Sequence, residues 1–384
     1  MRKIAIVTGT RAEYGLLRRV MELITEDSQL DLDLYVTGMH LSPSHGETID
    51  EIQEDGFEIG YQIDMNLDSR DHSKMSKALG IGITGLSDAF RNRRPDIVVV
   101  LGDRSEPFAA AIAASHMNIP VAHIAGGQIS GGSVIDSQVR HAITKLSHLH
   151  FVTSKENEQR VQHLGEEPWR IFSVGALGVD DIHFGEYESP SEIQKKLDLP
   201  RDNPIAIILQ HPETTNPSAS EKQLRNTVNA VTSLDCHPMI IYPNSDLGSE
   251  NMISYIQSSM IKEKNVSVYK NLERETFLGL MNISNVLVGN SSSGIIEAPS
   301  FGLPVVNIGS RQEGRQQTDN VINVRHSEDE IKDAVKAALF DEKIKQRAKK
   351  CENPYFLGGA SDQIHSKIKD VNINENLIEK GTEL

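Results

Sequence analysis

Short apolar runs rich in β-branched residues recur along the chain, separated by amphipathic, helix-like stretches. They are "KIAIV", "LDLYVTG", "DIVVVLGD", "IPVAHIAGG", "HLHFVTS" and "IFSVG", then "PIAIILQ", "HPMIIY", "VSVY", "VLVGN" and "LPVVNIGS". Strands that alternate with helices predict parallel sheets in an α/β fold. Most of the runs lack polar alternation, as strands covered on both faces should. Many end directly in Gly, Asp, His or Asn, so polar residues gather at the carboxyl ends of the strands, the edge where open α/β sheets bind ligands.

The pattern breaks once, at "GEYESPSEIQKKLDLPRDNP", which is charged, dotted with proline and without strand character. Each half then opens alike, with an apolar strand, a polar loop carrying a cationic or ionisable residue ("TGTRAEYG", "QHPETTN") and a helix. Two Rossmann-like parallel-sheet domains are expected, 1–185 and 186–365, facing a central cleft into which Arg11 and His211 point. The polar tail 366–384 is expected to pack back on the first domain.

Length and charge narrow the function. A chain of 384 residues has room for about two domains with proper cores. A formal charge of −15 argues against a nucleic-acid or anionic-membrane binder, because such proteins carry an excess of Lys and Arg. Cys236 and Cys351 stand far apart with no zinc-type spacing, so neither a metal site nor a disulfide framework is expected. The run "IAIV" after "MRK" is too short for a signal-peptide core, and no run approaches a membrane span. A cytoplasmic protein is expected.

The candidate chemistry lies in the loops after the strands. Neither G-x-G-x-x-G nor a P-loop follows a strand, which leaves a nicotinamide, flavin or P-loop site without support. "GNSSSG" supplies backbone amides and hydroxyls at a helix start, an arrangement suited to a phosphate and equally to an ordinary helix cap. Glu297, one turn on, is within reach of a ribose diol. "LGDRSEP" places Asp103, Arg104 and Glu106 after a very apolar strand. "HIAGGQISGGSVIDSQVRH" places His123, Gln128, Asp136, Arg140 and His141 in and after a glycine-rich loop. His123 alone reads most simply as a satisfied core histidine. Arg311 and Arg315 add positive charge after a later strand.

Taken in order, "TGTRAEYG", "VTGMHLSPSHGET", "GDRSE", "RHAITKLSHLHF", "LQHPETT", "YPNSD", "GNSSSG" with Glu297, "GSRQEGRQ" and "NPYFLGGAS" resemble the UDP-N-acetylglucosamine 2-epimerase family, and more closely its hydrolysing branch in sialic and legionaminic acid synthesis. The resemblance implies a GT-B-like pair of domains, with UDP held mainly by the second and the sugar in the cleft. It implies a homo-oligomer, dimer or tetramer, and no metal or nicotinamide cofactor. It assigns Ser291 and Ser292 to the diphosphate, Glu297 to the ribose, and Arg11, Arg104, Asn244 and Arg311 to the nucleotide side. Asp103 and Asp136 match carboxylates needed for elimination and hydration, Glu106 is a further acidic candidate, and His211 matches the leaving-group histidine. His123, Gln128 and Arg140 fall on the sugar side. One segment departs from the pattern: where many relatives have ionisable residues, this chain has Ala125 and Gln128, and the loop before Asp136 carries one or two additional residues. The implied reaction converts UDP-N-acetylglucosamine and water to N-acetylmannosamine and UDP through 2-acetamidoglucal. A 4-acetamido-6-deoxy sugar of the diacetylbacillosamine type is the alternative substrate. A GT-B glycosyltransferase and a non-catalytic nucleotide-sugar binder are the rival classes.

Overall fold

The structure, a computed structural model, describes the chain apart from residues 43–47, 66–71, 130–133, 201, 202, 214, 245, 261–264 and 382–384, and apart from the side chains of 72–74 and 134. The loop to which the sequence assigns additional residues before Asp136 therefore lies largely outside the described residues. The chain divides into two compact units, Met1–Gln128 with Ile135–Asp180 and Tyr355–Leu384, and Ile129–Val134 with Asp181–Pro354.

Among the described residues the first unit holds a seven-stranded parallel sheet. Its strands are β1 (Arg2–Thr8), β2 (Leu30–Thr37), β3 (Ile59–Ile63), β4 (Ile97–Leu101), β5 (Val121–Ile124), β6 (Leu149–Val152) and β7 (Ile171–Ser173), in the spatial order β3-β2-β1-β4-β5-β6-β7. Period-two geometry explains their apolar runs. Ile4 and Ile6 of β1 face one core with the helix Arg11–Glu26, whereas Ala5 and Val7 face another with the helix Ser105–His116. Each fully buried aliphatic side chain contributes roughly 1.5 to 3 kcal/mol. The chain runs outward from β1 through β2 to β3, then returns to the other side of β1 for β4. The β1/β4 boundary is thus a topological switch point, where the loops part and leave a crevice.

The second unit repeats the plan. Strands β8 (Ile205–Leu209), β9 (His237–Ile241), β10 (Ser267–Tyr269), β11 (Val286–Gly289), β12 (Val305–Ile308) and β13 (Val321–Val324) run parallel in the order β10-β9-β8-β11-β12-β13. Ala206 and Ile208 of β8 enter one core and Ile205, Ile207 and Leu209 the other. Its switch point is the β8/β11 boundary.

The chain rejoins the first unit at Tyr355, upstream of residue 366, the expected start of the tail. Asp180 accepts hydrogen bonds from the amides of Ala360 (2.9 Å) and Ser361 (2.7 Å), capping the helix Ala360–Asp370. Ile364 and Ile368 of that helix join the core of Ile4 and Ile6. The tail beyond is tied down by the buried Arg170, which donates to the carbonyls of Leu377 (2.7 Å), Asn376 (2.7 Å) and Glu379 (3.0 Å). No helix among the described residues is long and apolar enough to cross a membrane.

Candidate functional site

In the first unit, the loops after β1, β2, β4 and β5 bring the candidate residues to the carboxyl edge of the sheet. Thr10 caps the helix Arg11–Glu26, its Oγ1 accepting from the Glu13 amide at 3.3 Å, and Glu13 turns back to accept from the Gly9 amide at 2.9 Å. Across the switch point, Glu106 is 1% exposed and packs so tightly on Gly9 that a Cβ there would lie 2.5 Å from Glu106 Cγ. Gly38, with φ of +61°, closes the other side: a Cβ would meet Glu106 Oε1 at 2.5 Å. Arg104 Nε lies 3.7 Å from Glu106 Oε2, and Arg11 Nε pairs with Glu51 at 2.7 Å.

Asp103 begins a polar network running along the same edge. Arg140 Nη2 pairs with Asp103 Oδ2, while Nη1 donates to the Ala125 carbonyl at 3.0 Å and to Gln128 Oε1 at 3.2 Å. Three acceptors from two loops thus fix a buried guanidinium, the kind of planar recognition for which arginine is suited. Asp136 stands one helical turn before Arg140 in the helix Val134–Leu146, which puts both on one side of the helix.

Two residues expected on the sugar side are buried. His123 is completely buried, with Nε2 donating to the Gly102 carbonyl at 2.8 Å and Nδ1 against Thr144 Oγ1 at 3.2 Å. Burial holds its pKa down at about 3, so it is a neutral core histidine that ties β5 to the β4 loop. Gln128 is buried as well: its amide nitrogen donates to Thr153 Oγ1 at 2.8 Å and its oxygen accepts from Arg140. Its side chain helps to hold Arg140.

In the second unit the constellation sits at the β8/β11 switch point. Asn290, directly after β11, clasps the β8 loop in both directions: Oδ1 accepts from the His211 amide at 2.7 Å, and Nδ2 donates to the His211 carbonyl at 2.9 Å. The carbonyl of Asn290 accepts from Arg311 Nη1 at 3.2 Å and Gln312 Nε2 at 2.8 Å. Arg311 is thereby held against Asn290, which leads into the buried Ser291 and the partly exposed Ser292. Ser291 Oγ accepts from the Ser293 amide at 3.3 Å, leaving its proton to donate.

The amide of Asn244 donates to His211 Nδ1 at 3.0 Å, which places the ring proton on Nε2. Burial first, and then the Arg311 charge, lower the His211 pKa to about 3. In the free protein the ring is therefore a neutral N–H donor. Glu297 is buried, and burial raises its pKa against the opposing charge of Arg274, whose Nη1 lies 3.8 Å away. Arg274 is itself paired with Asp181. Hydroxyls, an arginine, a neutral imidazole N–H and a carboxylate gathered at one sheet edge suit an anionic ligand that carries a diol. Among the described residues, no group of His, Cys, Asp and Glu is placed to hold a metal ion.

A family model described as UDP-N-acetylglucosamine 2-epimerase matches residues 22–369. The chain belongs to this family. Over 380 residues it is 39% identical to the UDP-N,N'-diacetylbacillosamine 2-epimerase (hydrolyzing) of Legionella pneumophila, with 99% of each chain covered. It is 35% identical to the polysialic acid biosynthesis protein P7 of Escherichia coli, with 96% of each covered. A crystal structure of UDP-GlcNAc 2-epimerase from Neisseria meningitidis, bound to UDP-GlcNAc, shares the fold with a TM-score of 0.80 at 20% identity, covering 95% of this chain and 99% of the other. The two parallel sheets are those of the GT-B-like members of the family.

Several residues of this family member escape a reading of sequence alone. Glu13 looks like an ordinary first-turn acid, Asn290 is overshadowed by the serines after it, and nothing local marks Arg274 as the partner of Glu297. Glu13 has a measurable consequence. Burial, reinforced by the Glu106 carboxylate, pushes its pKa from 4.5 up to about 8. The folded state therefore keeps a proton that the unfolded chain loses, so the stabilisation is complete below pH 4.5 and is lost as pH rises to about 8. The loss is roughly 1.4 kcal/mol per pH unit. Glu13→Gln keeps an oxygen for the Gly9 amide and should flatten the fall of Tm with pH between about 5 and 8. Calorimetric melts of both proteins across that range check this; parallel curves would contradict it.

Proposed function

We propose that the chain is a hydrolysing UDP-N-acetylglucosamine 2-epimerase that converts UDP-N-acetylglucosamine and water to N-acetylmannosamine and UDP. The observation that carries the reading is the likeness, over 99% of the chain, to a hydrolysing 2-epimerase, in a protein whose two sheet edges hold an anion cradle and a carboxylate–arginine network. The second unit binds UDP. Ser291 and Ser292 donate to the diphosphate, Arg311 neutralises it, Asn244 orders the nucleotide side and Glu297 takes the ribose hydroxyls. Arg11 and Arg104 add positive charge on the nucleotide side.

The first unit acts on the sugar. Asp103 and Asp136 carry the proton transfers, Arg140 aims them, and Glu106 is a further acid. In the elimination step a carboxylate removes the C2 proton, the C1–O bond to UDP breaks with its electron pair leaving on the diphosphate, and 2-acetamidoglucal remains. His211, through Nε2–H, hydrogen-bonds the departing oxygen. In the second step water adds at C1 and a proton returns to C2 from the opposite face. Conversion of 2-acetamido sugars for nonulosonic (sialic-type) acid synthesis, a cytoplasmic location and a dimeric or tetrameric state complete the proposal.

The Legionella relative favours a second reading in which the substrate is the UDP-linked 2,4-diacetamido-6-deoxy sugar. Incubating the protein with each UDP-sugar separately, without acceptor, and identifying products by NMR distinguishes the two. Free aminosugar with UDP from either substrate supports hydrolytic epimerisation and names the sugar. Turnover only after an acceptor is added would point to a glycosyltransferase, and binding without turnover to a sensor.

A further inference from the structure

Two residues beyond His211, in the loop after β8, Glu213 turns toward the loop that leaves β12. Glu213 is 8% exposed, and its Oε1 accepts from the Ser310 amide at 2.9 Å, with His326 Nε2 at 3.3 Å and Ser310 Oγ at 3.5 Å. Ser310 immediately precedes Arg311 in the loop that leaves β12. We infer that Glu213 is the positioning residue that sets the Arg311 guanidinium in the diphosphate site; the inference rests on the UDP-binding reading proposed above.

The turn and the carboxylate are fitted to each other. Gly309 has φ of +76°, and a Cβ there would run into both Glu213 Oε1 and His326 Nε2. With the Ser310 amide fixed, the next two side chains reach back to a single acceptor, the Asn290 carbonyl, at 3.2 Å from Arg311 and 2.8 Å from Gln312. Asn290 leads directly into Ser291. The relay therefore runs from His326 and Glu213 through the backbone of Ser310 to Arg311, Asn290 and the cradle serines, and every member lies in one compact unit.

An acid beside an anion site would ordinarily repel the ligand. Here the His326 hydrogen bond, with that from Ser310, absorbs the carboxylate and holds its pKa below the usual range. Those bonds leave Glu213 ordering the loop without facing the ligand. A purely structural clasp between the β8 and β12 loops would look the same in a stability measurement. The two differ in their coupling to Arg311.

Calorimetric titration of the full chain with UDP tests the inference. Arg311→Ala should weaken UDP by about 10- to 100-fold, the loss of a charge-assisted contact. Glu213→Ala should weaken it by about tenfold in the parent but by less than about twofold in the Arg311→Ala background, because the two act through one contact. Glu213→Gln, which keeps an oxygen for the Ser310 amide, should bind UDP within about threefold of the parent. Should Glu213→Ala fail to fold, Gly309→Ala perturbs the same junction and is expected to show the same background dependence. Equal losses in both backgrounds, or parent-like affinity of the Glu213→Ala and Gly309→Ala proteins, would overturn the role of Glu213 while leaving the UDP site standing. Failure of the parent chain itself to bind UDP would overturn the UDP reading, and this inference with it.

Discussion

Asp103→Asn is expected to lower turnover of the UDP-sugar by about 10² to 10⁴ while leaving UDP affinity nearly intact. Asparagine keeps a carbonyl oxygen for Arg140 Nη2, and Arg140 retains the Ala125 carbonyl and Gln128 as acceptors. The geometry of the network should therefore survive, and what is lost is the ability to take or return a proton. Asp136→Asn should fall in the same range, because Asp136 rises from the helix that carries Arg140. Steady-state UDP release, with calorimetric UDP binding as the control, separates chemistry from affinity. Near-parent turnover of both variants would remove the carboxylates from the mechanism.

Ser291→Ala together with Ser292→Ala should act in the opposite way, on binding. Each charge-assisted hydrogen bond to a diphosphate oxygen is worth on the order of 1.5 to 3 kcal/mol, so the double variant should bind UDP about 10² to 10⁴ times more weakly. The substitutions delete hydroxyls without disturbing the Asn290 clasp on His211, which uses the asparagine amide and the backbone of the β8 loop. Unchanged calorimetric affinity would return the serines to the role of an ordinary helix cap.

How much of this was legible in the sequence depends on the range over which each feature is encoded. Buried strands such as "IVVVL" and "IAIIL" announce themselves locally because both faces are covered. The edge strands β3, "IGYQI", and β13, "VINV", do not appear among the apolar runs, since each is only partly buried and mixes polar with apolar residues. The placing of polar residues at the carboxyl ends of strands follows from the same pattern, whereas the switch points that gather Asp103, Arg104 and Glu106 in one unit and His211, Ser291 and Ser292 in the other follow from the sheet order.

Pairings between distant segments carry no local signal. Arg140 with Asp103, Arg274 with Glu297 and Glu213 with Ser310 join residues from separate loops, and their partners emerge only when the sheet order is known. Burial is equally non-local. His123, in an apolar run, already reads as a core residue, whereas Gln128, in the glycine-rich loop after it, does not, yet both are enclosed in hydrogen-bond networks. The helix Ala360–Asp370 is amphipathic on any reading, but nothing in its period tells which sheet it will cover.

Elimination at C2 followed by hydration leaves its mark on the C2 hydrogen. UDP-N-acetylglucosamine, or the diacetamido sugar if that is the substrate, is turned over in D₂O without acceptor or added nicotinamide, and the free sugar is examined by NMR. The expected product is inverted aminosugar with deuterium at C2, alongside UDP. Full retention of the substrate's C2 hydrogen in the inverted product would contradict elimination at C2.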